Sequence, residues 1–108
     1  VLNEILVALK TPINKLQVLH EDGLADTSEQ EALPKGTEIY TLFVHNTHAS
    51  NTLYISFDGG TKWKQIVAGT SIDLSGSNTA IIHLEDGLKL KASATATTYE
   101  ILVLKEAR

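Results

Sequence analysis

Short runs of alternating hydrophobic and polar residues, separated by turn residues, dominate the chain after residue 37. In one such run Leu53, Ile55 and Phe57 share a face while Tyr54 and Ser56 share the other, the two-residue period of a half-buried strand. Repeated runs of this kind predict an all-β fold, either an antiparallel β-sandwich or a small barrel of about seven strands. The predicted strands cover residues 38–45, 53–57, 63–67, 71–74, 80–84, 88–93 and 98–105.

The first residues of the chain follow a different pattern. Four large apolar side chains recur there at the spacing of a helix face: Leu2, Ile5, Leu6 and Leu9. Pro12 would end such a helix, so we predict a short helix or arm over residues 2–10. The same stretch also permits a strand, with alternate residues from Ile5 to Leu9 on one face.

Residues 16–20 have the pattern of a strand, and Glu-Asp-Gly-Leu at residues 21–24 predicts a turn after it. The same tetrapeptide at residues 85–88 predicts a second turn, which indicates repeated turn chemistry rather than duplication. Residues 21–37 are acidic and poor in apolar side chains, which predicts a solvated loop. We therefore expect residues 1–37 to form an arm and acidic loop, and residues 38–108 to form the β-sandwich core.

A hairpin tip is predicted between the strands at 53–57 and 63–67. Gly59 and Gly60 accept positive φ without a steric clash, and Asp58 accepts hydrogen bonds from amides of its own turn. The residues assigned to this structural hairpin are Ser56, Asp58, Gly59, Gly60, Thr61 and Trp63. We predict that Trp63 packs in the core, where its replacement by alanine would cost about 3 to 5 kcal/mol. The alternative is an exposed, sugar-binding tryptophan.

Length and composition narrow the function. A chain of 108 residues fits one domain. Its net charge is −4 and its only arginine is the last residue, so we expect no nucleic-acid partner. With no run of about 18 apolar residues, we also expect a soluble protein without a membrane partner. The chain has no cysteine, which excludes disulfides and thiolate chemistry.

The sequence contains no strong motif for a metal site or a catalytic site. His45 and His48 flank a strand end, and the acidic run from residue 21 to 31 lacks the glycine and glutamate pattern of an EF-hand, so we predict no metal site. The chain contains no Gly-x-Ser-x-Gly elbow and no phosphate-binding glycine loop. We therefore expect a protein that is not an enzyme and has no cofactor.

Two resemblances refine this interpretation. The run from Ser56 to Trp63 resembles the Asp-box of sialidases and sortilin-type receptors, a hairpin motif that stands away from catalytic centres. A strand that ends in Asn46, a polar turn, Leu-Tyr-Ile-Ser at residues 53–56 and Ala-Gly-Thr-Ser-Ile at residues 68–72 are similar to small β-sandwich modules of tailed-bacteriophage virions. The second resemblance spans residues 38–104. It implies a virion structural protein, of the capsid decoration or accessory type.

Protein partners are the corresponding expectation. The predicted arm, with Leu2, Ile5, Leu6 and Leu9, would bury its apolar side chains against a neighbouring chain, and the protein would be a homo-oligomer bound to a capsid or tail lattice. The alternative function is a carbohydrate-binding module that uses exposed aromatic residues on a β scaffold. Its candidates are Trp63, Tyr54, Tyr40 and Tyr99.

Overall fold

A computed structural model of the chain describes residues 16–76 and 81–106. Within these ranges the regular structure is entirely β, and no helix of membrane-spanning length is present. The prediction of an all-β antiparallel sandwich is confirmed. The strands are β1 (Leu16–Ala25), β2 (Gln30–Leu33), β3 (Thr37–Ile39), β4 (Thr41–Asn46), β5 (Leu53–Ser56), β6 (Lys64–Ile66), β7 (Ser71–Ser75), β8 (Ile82–Leu84), β9 (Leu88–Ala92) and β10 (Thr97–Glu106).

The strands form two four-stranded sheets and one small pair, and every pairing is antiparallel. The first sheet has the order β1-β10-β4-β7, and the second has the order β2-β9-β5-β6. Strands β3 and β8 form the third, two-stranded sheet. β10 lies beside β1 along the whole length of both strands and beside β4 from Tyr99 to Leu104, which makes it one of the two inner strands of the first sheet.

The core lies between the two four-stranded sheets and follows from the alternation of each strand. Ile101 and Val103 of β10 are buried, whereas Leu102 between them is exposed. The second sheet shows the same alternation in β9, where Leu88 and Leu90 are fully buried. Each large side chain buried in this way stabilises the fold by about 1.5 to 3 kcal/mol before conformational entropy is counted. The buried set also includes Leu42, Val44, Leu53, Ile55 and Ile66.

The acidic segment before residue 37 is not a solvated loop, so that prediction was wrong. Residues 21–25 continue β1, and Gln30–Leu33 forms β2 beside β9. Ala25 and Leu33 are core residues. Strand pairing satisfies the backbone of this segment while its acidic side chains remain in water, which is why a high charge did not prevent regular structure. The predicted boundary between residues 37 and 38 falls inside β3.

Two adjacent turns, one between β2 and β3 and the other between β8 and β9, connect the β2–β9 pair of the second sheet to the two-stranded β3–β8 sheet. Leu33 is opposite Leu88 on one side of the turns, and Thr37 is opposite Leu84 on the other. The amides of Gly36 and Gly87 both donate to the Leu84 carbonyl, at 2.8 and 3.1 Å. The predicted turn at residues 85–88 is therefore present, although it joins two sheets rather than two strands of one hairpin.

Candidate interaction surfaces

The turn between β5 and β6 is held by a local hydrogen-bond network. The Ser56 hydroxyl donates to Asp58 Oδ1 at 2.7 Å and accepts the Gly60 amide at 2.9 Å. Asp58 Oδ1 also accepts the amides of Thr61 and Lys62, at 3.2 and 2.8 Å. Beyond this turn the two strands pair antiparallel, so the network fixes their connection.

The Asp58 carboxylate takes part in this turn through Oδ1. Hydrogen bonds from the Lys62 amide and the Ser56 hydroxyl lower its pKa below the ordinary value. Gly59 and Gly60 have φ of 75° and 97°, a region that residues with a Cβ rarely adopt. These residues hold the shape of the turn, and Asp58 does so through a single oxygen, Oδ1, which accepts all three of its side-chain hydrogen bonds in the turn.

Trp63 is not a core residue, which corrects the sequence-based prediction. Its indole N–H turns back to donate to the Gly60 carbonyl at 3.0 Å, and Lys91 Nζ lies 4.3 Å from the ring centroid. Lys91 is opposite Tyr54 on the outer face of the second sheet, so Trp63 lies on that face, half-buried. The core position belongs to Ile66, which is opposite Leu53 and fully buried.

The four aromatic residues considered for sugar binding do not all share one surface, and Tyr40 lies apart from the others, between β3 and β4. Tyr54 shares the outer face of the second sheet with Trp63. Tyr99 instead packs its ring on Gly23 and accepts a hydrogen bond from Gln30 at 3.2 Å, and burial raises its pKa. An open depression of about 320 Å³ adjoins Trp63, and its other lining residues are Ile55, Phe57, Asp58, Lys62 and Lys64.

Charged groups on the outer face of the second sheet are paired within the chain. Lys89 Nζ lies 3.6 Å from a Glu29 carboxylate oxygen and 3.4 Å from the Gly59 carbonyl. Lys91 covers the Trp63 ring, a favourable cation–π contact. Trp63, Lys89 and Lys91, the prominent aromatic and basic side chains of this face, therefore already contact other groups of the same chain.

The outer face of the first sheet has a different character, because apolar side chains cover one end of it. They belong to three adjacent strands and are paired across them, Val18 with Leu104 and Leu102 with Phe43. We call this surface the outer strip. It comprises Leu16, Val18, Phe43, Leu102 and Leu104, of which Leu16, Val18 and Leu102 are 51%, 63% and 38% exposed. The outer strip borders the edge strand β1, in which the described residues include neither lysine nor proline.

A polar cluster lies next to the outer strip on the same face, where His20 is opposite Leu102. His20 Nε2 lies 2.8 Å from Glu100 Oε2, and Asp22 is opposite Glu100. The hydrogen bond with Glu100, together with the charges of Glu100 and Asp22, raises the pKa of His20. One ligand atom from each of these three residues lies within 4.8 Å of the others. They are groups that a divalent cation binds, although the His20–Glu100 hydrogen bond already uses two of them.

Sequence reasoning missed this cluster because Glu100 is about 80 positions from His20 and Asp22 and meets them only through the β1–β10 register. The histidines considered instead have separate environments. His48 Nδ1 accepts the amides of Ser50 and Asn51, at 3.0 and 2.9 Å, and so caps a loop. The ring of His45 contacts Phe43 in β4, with 5.9 Å between centroids.

Asn46 is a second position whose role sequence reasoning missed. Its side chain is fully buried and donates to the carbonyls of Asn51 and Ile66, at 2.8 and 2.9 Å. The side-chain oxygen accepts the His48 amide at 3.0 Å. The backbone of Asn46 bonds to the turn that precedes β7. Several residues of the phage resemblance thus meet at one structural junction.

Comparisons with known proteins find a similar fold but no similar sequence. Neither a protein-family model nor a curated protein sequence matches the chain. A solved structure from the Bacillus endospore appendages, which form a family of disulfide-linked pili, is 13% identical with a TM-score of 0.57. The match covers 87% of this chain and 88% of that one, and it shows a shared all-β fold. A de novo designed double-stranded β-helix is 11% identical over 87% of this chain and 100% of its own, with a TM-score of 0.39, too low to indicate a shared fold.

Proposed function

We propose that this chain is a non-enzymatic structural subunit that works through protein–protein contacts, with copies of itself and with a larger assembly. The observation that carries the proposal is the outer strip, in which exposed apolar side chains of three neighbouring strands lie side by side. Contiguous apolar surface of this kind marks interaction sites in soluble proteins. The fold shared with a pilus-forming appendage protein supports a role in assembly.

The more specific proposal is a place in a bacteriophage virion, as a capsid decoration or accessory protein. It follows from the resemblance over residues 38–104. The residues that carry that resemblance build the Asn46 junction and the β5–β6 turn, so they maintain the sandwich itself. Contacts with a capsid or tail lattice are then assigned to the exposed surfaces around it.

Self-association of the full chain is the direct test. We expect the mass in solution, measured by light scattering or sedimentation across a concentration series, to rise above that of one 11.7 kDa chain. Negative-stain electron microscopy of the largest species should show particles of regular geometry. A chain that remains monomeric at every concentration, and that also does not bind purified virions, would overturn the proposal.

A carbohydrate-binding function remains the second candidate because of the depression beside Trp63. Trp63 is the only tryptophan, so its fluorescence reports on this surface alone. Titration with candidate glycans should change the emission if sugars stack on the indole. Since Lys91 already lies against the ring, we expect no change, and a saturable change would favour the second candidate.

A further inference from the structure

The outer strip is an apolar surface that no other part of the described chain covers. Its members lie on neighbouring strands in register, so they form a continuous surface rather than isolated exposed residues. Leu24 lies on the same face of β1 and is 62% exposed, but it is opposite Thr98 and outside the strip. The strip is therefore a local feature at the Leu16 end of the first sheet.

We propose that the outer strip binds the N-terminal segment, residues 1–15, of a second copy of this chain. The inference rests on the proposed function, in which copies associate, and it names the surface and the segment that meet. Residues 1–15 lie outside the described residues. The predicted arm residues Leu2, Ile5, Leu6 and Leu9 belong to this segment.

The segment is long enough and apolar enough to cover the strip. The strip crosses β1, β10 and β4, which is about 10 Å at the usual strand spacing. Nine residues reach about 14 Å as a helix and about 30 Å when extended, so either conformation spans it. Six of the first nine residues are valine, leucine or isoleucine, and they supply the apolar partner that the strip requires.

Charge favours the same pairing. Three acidic side chains lie on the outer face of the first sheet: Asp22, Asp73, which is opposite Phe43, and Glu100, which is paired with His20. The segment carries Lys10 and Lys15 against Glu4, which gives a side-chain charge of +1. A basic segment on an acidic and apolar face gains electrostatic complementarity as well as apolar burial.

Two alternatives are less favourable. Packing the strip of one copy on the strip of another would bury only five partly covered side chains per copy, whereas a standard interface buries about 800 Å² per partner. The segment adds its own surface to the contact. The segment is joined to β1 at Leu16, which is itself part of the outer strip. To fold onto the strip of its own copy, the chain would have to reverse its direction just before Leu16. A segment that continues away from β1 needs no such reversal, and its contact with the strip of another copy would be head-to-tail.

Matched variants of the full chain test the proposal. The strip variant carries Val18→Ser and Leu102→Ser, and the control carries Leu24→Ser, a change at an equally exposed apolar position of the same face. The third variant lacks residues 1–12. We expect the strip variant and the shortened chain each to self-associate at least about tenfold more weakly, and the Leu24→Ser chain to associate like the unchanged protein.

Mixing the two defective chains gives the decisive result. The shortened chain keeps an intact strip and the strip variant keeps an intact segment, so a mixture should form a 1:1 complex that does not grow further. Failure to form that complex, or equal loss of association in the Leu24→Ser chain, would overturn the inference. Loss of thermal stability in the shortened chain at unchanged mass would also overturn it, because the segment would then cover its own strip. If the unchanged protein assembles and the strip variant assembles equally well, only this inference fails and the proposed function stands.

Discussion

The tetrapeptide Glu-Asp-Gly-Leu occurs twice in this chain and adopts two different structures. At residues 21–24 it lies inside β1, extended and paired with β10 at every position. At residues 85–88 it forms the turn between β8 and β9, where Gly87 has φ of 71°. The difference shows that the neighbouring strand, and not the local sequence, decides which structure these residues form.

The glycines of the two tetrapeptide copies contact different parts of the structure. In the first, Gly23 is opposite Tyr99, whose ring packs directly on the glycine. In the second, the Gly87 amide donates to Leu84, and the glycine lies against the backbone of Leu33 and Pro34. The final leucine of each copy differs most, because Leu24 is 62% exposed whereas Leu88 is fully buried.

The two leucines should therefore give the largest contrast. Leu88→Ala removes a core side chain and leaves a cavity between the sheets, so we expect it to lower the free energy of unfolding by about 3 to 4 kcal/mol. Leu24→Ala changes an exposed position and should lie within about 0.5 kcal/mol of the unchanged protein. Urea denaturation of both variants provides the measurement. Similar costs for the two would show that the copies are not in different environments.

The two glycines should give a smaller contrast in the same direction. Gly87→Ala places a Cβ against the Leu33 carbonyl at a positive φ, so two unfavourable effects combine to about 2 to 3 kcal/mol. Gly23→Ala meets the Tyr99 ring, a side chain that can move, and should cost about 1 to 2 kcal/mol. Thermal or chemical denaturation ranks them.

Tyr99→Ala supplies the control for the first of these sites. In that background Gly23→Ala no longer meets a ring, so its additional cost should disappear, while the cost of Gly87→Ala should remain. A Gly23→Ala cost that persists without the ring would mean that the backbone of β1, rather than Tyr99, requires the glycine.

The strands after residue 37 were predictable because apolar and polar residues alternate along them, and this alternation shows directly that one face of each strand is buried. β5, β7, β9 and β10 lie close to their predicted positions. The predicted strand at 38–45 is divided at Tyr40, whose amide donates to the Leu104 carbonyl. The acidic segment was not predictable in this way. Its strands depend on pairing with β9 and β10, more than 50 residues away in sequence.

The candidate surfaces depended on similar long-range information. The sequence indicates a strand at residues 16–20. It does not show which strand lies beside it or which of its faces remains exposed, so the outer strip could not be recognised. Trp63 was assigned to the core because a large aromatic residue usually fills one. Its hydrogen bond to Gly60 and its contact with Lys91 depend on the turn geometry and on the β5–β9 register.

The two aspartates of the tetrapeptides should give the smallest contrast, in the titration of His20. Asp22 contributes to the raised pKa of His20, with Glu100 as the larger cause. Asp22→Asn should lower that pKa while leaving it above the ordinary value, and Asp86→Asn, at the other copy, should not change it. NMR titration of the His20 ring from about pH 5 to about pH 9 measures this.

The same measurement has a defined consequence for stability. Because the pKa of His20 is higher in the folded than in the unfolded chain, the His20–Glu100 pair contributes fully below the unfolded value of 6.5. Its contribution is lost as the pH rises through the raised folded value. Asp22→Asn should move this loss to lower pH, whereas Glu100→Gln should largely abolish it. An unchanged His20 midpoint in Asp22→Asn, or an equal shift in Asp86→Asn, would show that the charge of Asp22 does not act on the His20 ring in the folded chain.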